Sequence, residues 1–352
     1  IEKKKCETAI QKALPACWQQ LEPGKLKETK VMNKMVTLES LPQWNYDGSS
    51  TLQAEGHDSE VIMRPVRMIS DPFRSGDNRI VLCDTYKPDG TPLPNNHRVK
   101  AKEIFDKHLS EEPWYGIEQE YFLVNPVSGF PLGFDNKGRA PPQGQYYCSV
   151  GTGNAFGREV VEAHLKACVD SGLTISGINA EVAPGQWEYQ IGPVVGIDAG
   201  DQLLLSRYLL ERVAEKFQVV VSYEPKLIKG DWNGSGCHTN FSTLNMREGT
   251  VDENGVEKTG LEYIEESIEK LSHKHAEHMA VYGSNNDRRM TGVHETASYD
   301  KFTHGKANRG SSIRIGNETY DMKKGYFEDR RPGANIDPYQ VTSIILRTTM
   351  DI

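Results

Sequence analysis

Residues 115–123 run Tyr115-Gly116-Ile117-Glu118-Gln119-Glu120-Tyr121-Phe122-Leu123, an apolar strand with two acids at alternate positions. Side chains two apart on a strand share a face, so Glu118 and Glu120 project together and Gln119 and Tyr121 project oppositely. Burying a carboxylate without a partner costs several kcal/mol, and two on one face repel. The chain must therefore either leave that face as a solvated strand edge or bring a cation to it. A divalent cation would reverse the repulsion and keep both groups ionised.

The pattern recurs. Glu181 and Glu188 stand among apolar and aromatic neighbours on either side of the Pro184-Gly185 turn, a hairpin-like presentation. A glycine-rich approach, Asn233-Gly234-Ser235-Gly236-Cys237, leads to His238 on an expected strand, where neutral imidazole can ligate a metal. Near the C-terminus, Glu328 and Arg330 share one strand face and Asp329 and Arg331 the other. Carboxylates with one histidine and no cysteine point to Mg²⁺ or Mn²⁺ rather than structural zinc. Arg288, Arg289, Arg309 and Arg314 suit a transferring phosphoryl group. Each taken alone reads as a surface arginine; their joint occurrence carries the argument.

Composition narrows the class of partner. The 352 residues carry 41 Lys plus Arg against 49 Asp plus Glu, a formal charge of −8. That balance argues against a surface that neutralises a nucleic-acid backbone. No apolar run approaches the roughly 18 residues of a membrane span. Six scattered cysteines without a C-x-x-C pair, and no secretory segment near Ile1, read as reduced thiols of a cytoplasmic protein. A start at Ile1 rather than methionine implies a piece of a longer translation product.

Ile10, Leu14 and Trp18 predict a helix over residues 1–24, closed by Pro23-Gly24. Residues 25–90 give short β-type runs, notably 61–63 and 80–86, punctuated by turns. A breaker-dense segment at 88–94 places a domain boundary between residues 94 and 95. Helices are expected over 99–109, 158–170, 201–217 and 262–282. Their mixed order with strands gives an α+β class and no doubly wound sheet.

Two motifs read as decoys. Gly151-Thr152-Gly153-Asn154-Ala155-Phe156-Gly157 lacks the Gly-Lys-Ser/Thr ending of a phosphate loop and reads as a turn. His273, His275 and His278 fall in the 262–282 helix and read as a solvated face rather than a metal cluster. The Glu262, Glu265, Glu266 and Glu269 run reads as surface paired with Lys270 and Lys274.

Taken as a set, these segments closely resemble the eukaryotic-type glutamine synthetases. The resemblance runs from Lys25 to the C-terminus and includes Trp44-Asn45-Tyr46-Asp47-Gly48-Ser49-Ser50-Thr51, Gln186-Trp187-Glu188-Tyr189-Gln190-Ile191-Gly192-Pro193, Thr291-Gly292-Val293-His294-Glu295-Thr296 and Ala307-Asn308-Arg309. It implies a small N-terminal β-grasp domain over 1–94 and a large catalytic domain over 95–352, with a curved antiparallel sheet flanked by helices. It further implies ATP-dependent amidation of L-glutamate by ammonium through γ-glutamyl phosphate, with two or three Mg²⁺ or Mn²⁺ per site.

By that resemblance Glu120, Glu181 and Glu188 form an inner metal site, and Glu118, His238 and Glu328 a nucleotide-side one. Arg309 and Arg314 contact phosphates, and Arg289 and Arg330 hold the substrate carboxylate or the transferring group. Trp232, Asn233 and Gly234 line the glutamate pocket. Trp114, Pro193, Asn240, Ser242, Arg247 and Tyr326 take nucleotide positions, beside Glu118, Glu188 and Glu328. Asp47 and Glu295 form the ammonium pocket, Asp47 arriving from a neighbouring subunit in a decamer of two pentameric rings. One departure stands out: a strand and turn of the family are missing after residue 24, where Pro23-Gly24-Lys25 runs straight on. Two other readings keep the same residues, a γ-glutamyl ligase for another amine and a non-catalytic structural member.

Overall fold

The computed structural model describes residues 6–12, 27–33, 35–74 and 76–352, with backbone alone for 6–12 and residue 27. Two sheets organise the chain. The smaller is built from β1 (Cys6–Lys12), β2 (Lys27–Met32), β3 (Trp44–Asp47), β4 (Glu60–Ser70) and β5 (Arg79–Tyr86), in the order β2-β1-β5-β4-β3. All pairs are antiparallel except β1 with β5.

The helix expected over residues 1–24 is thus corrected in part, because residues 6–12 are a strand. A spacing of four is also an even number, so Ile10, Leu14 and Trp18 satisfy a strand's period of two as well as a helix's. The paired backbones of β2 and β5 then decide between them. Leu14, Trp18, Pro23, Gly24 and the expected missing strand lie outside the described residues.

β5 is buried on both faces. Val81 and Cys83 pack with Val61 and Met63, while Ile80 and Leu82 pack against Leu205 and Leu209 of α3 (Ile197–Phe217). Where these layers meet, Arg98 on α1 (His97–Lys107) donates two hydrogen bonds to Asp201, at 2.7 and 2.9 Å, and a longer one to Asp84. Tyr339 also donates to Asp201, at 2.6 Å.

The larger sheet comprises β6 (Trp114–Val124), β7 (Ile175–Ala180), β8 (Gln186–Val195), β10 (Cys237–Ser242), β13 (His304–Lys306), β14 (Ile313–Ile315) and β15 (Phe327–Asp329), with β9 (Val220–Ser222) on β6. Its order is β13-β14-β15-β10-β6-β8-β7, antiparallel except β13 with β14. Helices α2 (Arg158–Asp170), α3, α4 (Leu244–Glu248), α5 (Gly260–His273), α6 (His275–Met279), α7 (Asn317–Met322) and α8 (Pro338–Met350) flank it, and β11 (Thr250–Val251) pairs with β12 (Glu257–Lys258) in a short hairpin. This is the expected α+β class, an antiparallel-rich sheet flanked by helices.

Period-two alternation sorts this sheet into two unlike faces. Tyr115, Ile117 and Tyr121 of β6, Trp187, Tyr189 and Ile191 of β8 and Phe241 of β10 enter the main core with Leu203, Leu210, Ile345 and Leu346. The intervening positions, Glu118, Glu120, Glu188, Gln190, His238 and Asn240, fall on the opposite face. The glycine-rich segment 151–157 is a loop that enters α2 through Gly157 at φ 88°, as expected of a turn.

The expected 262–282 helix breaks at Lys274, and the solvated-face reading of its histidines is corrected for two of the three. His278 is fully buried, with its ring nitrogens on the Tyr282 hydroxyl at 2.6 Å and the Thr348 hydroxyl at 2.7 Å. His275 bonds the Tyr299 carbonyl oxygen at 2.8 Å. Only His273 stands exposed, beside Glu269. Burial holds His278 at about 3, so it is a neutral bridge within the core. Among the acids of α5, Glu262 instead closes a capping box with Thr259, and Glu266 pairs with Lys258.

Candidate active site

Strand register alone assembles the acidic face. Glu120 lies opposite Glu188, and Glu188 opposite Asn179; one step along, His238 lies opposite Glu118, and Glu118 opposite Gln190. Directly opposed Cβ atoms on antiparallel strands are about 5 Å apart, so carboxylates that are distant in sequence converge. Ligand atoms of Glu120, Glu181 and Glu188 lie within 4.8 Å of one another, as do those of Glu118, Glu188 and His238. Glu188 belongs to both trios. Glu328 approaches His238 at 3.5 Å but is engaged by two arginines, Arg330 at 2.6 Å and Arg314 at 2.8 Å.

The trios are electrostatically ill-matched without a cation. Burial, reinforced by the neighbouring carboxylates, pushes Glu181 and Glu188 far above the usual carboxylate range. Burial raises Glu120 too, against a hydrogen bond from the Gly236 N–H. His238 is held well below its ordinary value by burial and then by Arg330, so it is a neutral imidazole. Hard oxygen ligands with one neutral nitrogen fit a divalent cation of the Mg²⁺ or Mn²⁺ kind.

Glycines bring the opposite wall close. A Cβ on Gly236 would come within 2.7 Å of the Arg289 guanidinium and 2.8 Å of His238, and one on Gly234 within 2.5 Å of the Arg289 stem. Arg289 is buried and donates to the carbonyl oxygens of Arg330, Arg331 and Pro332 at 2.7 to 3.2 Å. Arg330 ties three segments together, donating to Glu328 and to the carbonyl oxygens of Arg309 and Glu295. Glu295 and its neighbour His294 both adopt positive φ, at 61° and 55°, an uncommon choice for side-chain-bearing residues.

These groups line one cavity of about 580 Å³: Glu118, Glu120, Glu181, Glu188, His238, Asn233, Gly234, Arg289, Glu295, Arg309, Arg314 and Arg330 all face it. A second cavity of about 420 Å³ adjoins it and takes Trp114, Glu118, Pro193, Asn240, Ser242, Arg247 and Tyr326 in its wall. Arg247 lies over the Trp114 ring at 4.0 Å. Two residues stand apart. Trp232 packs on Phe134 with ring centroids 5.0 Å apart rather than lining the acidic cavity. Asp47 ends β3 in the smaller sheet, exposed, and is held well below the usual carboxylate range by Ser50 and Ser49.

Three polar neighbours, Gln186, Asn179 and Gln190, carry no role on sequence grounds, whereas Asn240 stands there among the nucleotide positions. Gln186, Asn179, Gln190 and Asn240 donate hydrogen bonds to Glu120, Glu181, Glu188 and Glu118 respectively. The alternation that singled out Glu188 also places Gln186 and Gln190 on its face, which is the signal that would have found them.

A sheet that holds two acid-rich ligand trios against a wall of arginines, beside a largely apolar cavity, has the layout of a metal-dependent enzyme acting on anionic substrates. Residues 97–351 match the family model described as glutamine synthetase, catalytic domain. The chain is 55% identical over 312 residues to glutamine synthetase PR-1 of Phaseolus vulgaris, covering 88% of this chain and 85% of that one. It is 52% identical over 326 residues to a glutamine synthetase cytosolic isozyme of Pinus sylvestris, covering 92% and 89%. Cytosolic isozyme 1-5 of Arabidopsis thaliana gives 55% over 312 residues, covering 88% and 86%. The chain belongs to the glutamine synthetase family.

Proposed function

We propose that the protein ligates ammonia to the γ-carboxylate of L-glutamate at the expense of ATP, giving L-glutamine, ADP and phosphate. The observation that carries this reading is the pair of ligand trios, one of three carboxylates and one of two carboxylates with His238, joined at Glu188 and faced by Arg289, Arg309, Arg314 and Arg330. A carboxylate is a poor acyl donor. Transfer of the γ-phosphoryl group to a glutamate oxygen makes an acyl phosphate; ammonia then attacks that carbonyl, and phosphate leaves with the oxygen.

Glu120, Glu181 and Glu188 would hold one Mg²⁺ or Mn²⁺, and Glu118, His238 and Glu328, with Glu188 adjoining, another. When bound, such cations neutralise phosphoryl charge and polarise the transferred group. Arg309 and Arg314 orient the phosphates, and Arg289 and Arg330 neutralise the glutamate carboxylate and the developing charge. Asn233 and Gly234 shape the amino-acid end, with Trp232 supporting their loop from behind. Trp114, Pro193, Asn240, Ser242, Arg247 and Tyr326 form the nucleotide wall. Glu295 supplies negative charge for ammonium and a base to take its proton. Asp47 completes that pocket from an adjacent copy, so the active form is an oligomer, with the decamer of two rings as the working arrangement and a division near residue 94. The cytosolic names of the relatives support a cytoplasmic location.

The test is a single incubation with glutamate, ammonium, ATP and Mg²⁺, following glutamine and phosphate together and omitting each substrate in turn. Stoichiometric glutamine and phosphate are expected. Turnover with a bulkier amine in place of ammonium would favour the alternative ligase, and no turnover at all the structural member.

A further inference from the structure

Each carboxylate of the two trios receives a side-chain amide, and two of these amides also touch one another. The Gln190 Nε2 group donates to the Glu188 carboxylate and, at 2.8 Å, to the Asn179 Oδ1. The Asn179 Nδ2 group donates to Glu181 at 3.0 Å. A carboxylate ionised to meet a cation only accepts, so in that state both amides must turn their NH₂ groups toward the acids. That leaves the Asn179 carbonyl free to accept from Gln190. The chain Glu188–Gln190–Asn179–Glu181 therefore has one self-consistent direction.

Register and sterics fix it in place. Gly177 lies opposite Gln190 across the β7–β8 pair. A Cβ at Gly177 would come within 2.6 Å of the Gln190 Oε1 atom, with nothing else crowded. The glycine thus opens the space in which the Gln190 amide lies. Gln190 also lines both cavities, the acidic one and its largely apolar neighbour.

Resting on the metal reading above, we propose that Gln190 and Asn179, seated by Gly177, form an amide relay that positions Glu188 and Glu181 for divalent-cation binding. These are positioning residues acting through the carboxylates. The relay links the acid shared by both trios to an acid of only one, so disturbing either amide weakens cation binding at both. Neutral amides suit the task because they orient carboxylates without supplying the positive charge that a cation must bring. Partners that orient ligands in this way typically govern metal affinity by 10- to 100-fold.

The experiment is calorimetric titration of the whole purified protein with Mn²⁺ alone, without substrates, for the parent and for Gln190→Ala, Asn179→Ala and Gly177→Ala. Thermal melting of each metal-free protein runs alongside. Gly177→Ala keeps every polar group and displaces only the end of Gln190, so it separates the relay from a general loss of structure. Mn²⁺ binding weaker by roughly tenfold in the two amide variants, and weaker in the same direction in Gly177→Ala, is expected, with metal-free melting close to the parent. A parent that binds Mn²⁺ while folded variants bind it within about twofold would overturn the relay alone. A parent that binds no Mn²⁺ would overturn the metal reading and the relay with it.

Discussion

Two acidic constellations lie on opposite faces of one sheet and are treated in opposite ways. On the core face of β15, Asp329 accepts from Arg331 at 2.9 and 2.7 Å and from Tyr282 at 2.7 Å, and all three side chains are fully buried. The Arg331 guanidinium holds its carboxyl below the usual range despite burial. On the cavity face, Glu120, Glu181 and Glu188 are crowded by one another, with neutral amides and backbone N–H groups as their donors, and sit above that range. A charge that holds the fold together is matched within the chain. The charge of Glu120, Glu181 and Glu188 is left for something outside the chain to match.

Breaking the matched side should cost most. Asp329→Asn leaves Arg331 buried without its counter-charge, and the expected loss is about 3–5 kcal/mol of stability, read from denaturant midpoints. Removing one misfit acid should act the other way on stability while destroying function. Glu188→Gln is expected to lower glutamine formation about 10²- to 10³-fold, measured by coupled glutamine and phosphate release. The raised folded values of these acids give stability that is present at low pH and is lost as pH rises through them. Glu188→Gln removes part of that loss, so the metal-free variant should be more stable than the parent near neutral pH by about 1 kcal/mol. It should also lose the stabilisation that a divalent cation gives the parent.

A finer test uses His278, which joins the matched side through Tyr282. Its folded value of about 3 lies below the ordinary 6.5. The unfolded chain therefore binds the proton first, and stability present above 6.5 is lost as pH falls toward 3. Between pH 7.5 and 5.5 the parent should lose about 1.4 kcal/mol more than His278→Gln, measured by urea unfolding at each pH. Smallest of all, the exposed Lys102–Asp106 pair on α1 stands outside both constellations. Lys102→Ala should change stability by no more than about 0.5 kcal/mol.

Much of this contrast was legible in the sequence because strand alternation needs no tertiary information. Glu118 and Glu120, and the split of Glu328 and Arg330 from Asp329 and Arg331, follow from counting by two. Helix α2 was read to its ends, because an apolar stripe closes on Gly172. Other features depend on what packs where. His278 reads as surface until Tyr282 and Thr348 are brought beside it. The contact between Asn179 and Gln190 is not legible until the β7–β8 register sets Asn179 opposite Glu188 and Gly177 opposite Gln190, bringing the two amides together. The sharing of Glu188 between trios is a property of the β6–β8 pairing. Residues 6–12 form a strand because their partners in β2 and β5 decide it.

The most direct measurement is proton release on cation binding: Mn²⁺ is titrated calorimetrically into the metal-free protein near neutral pH, in two buffers of different ionisation enthalpy. Carboxyls that hold protons for want of a counter-charge must release them when the cation arrives, so the binding heat should differ between buffers in the sense of proton release, and the difference should shrink in Glu188→Gln. Saturable binding with identical heats in both buffers would contradict the account, because it would mean that the acids of the cavity were ionised and matched all along.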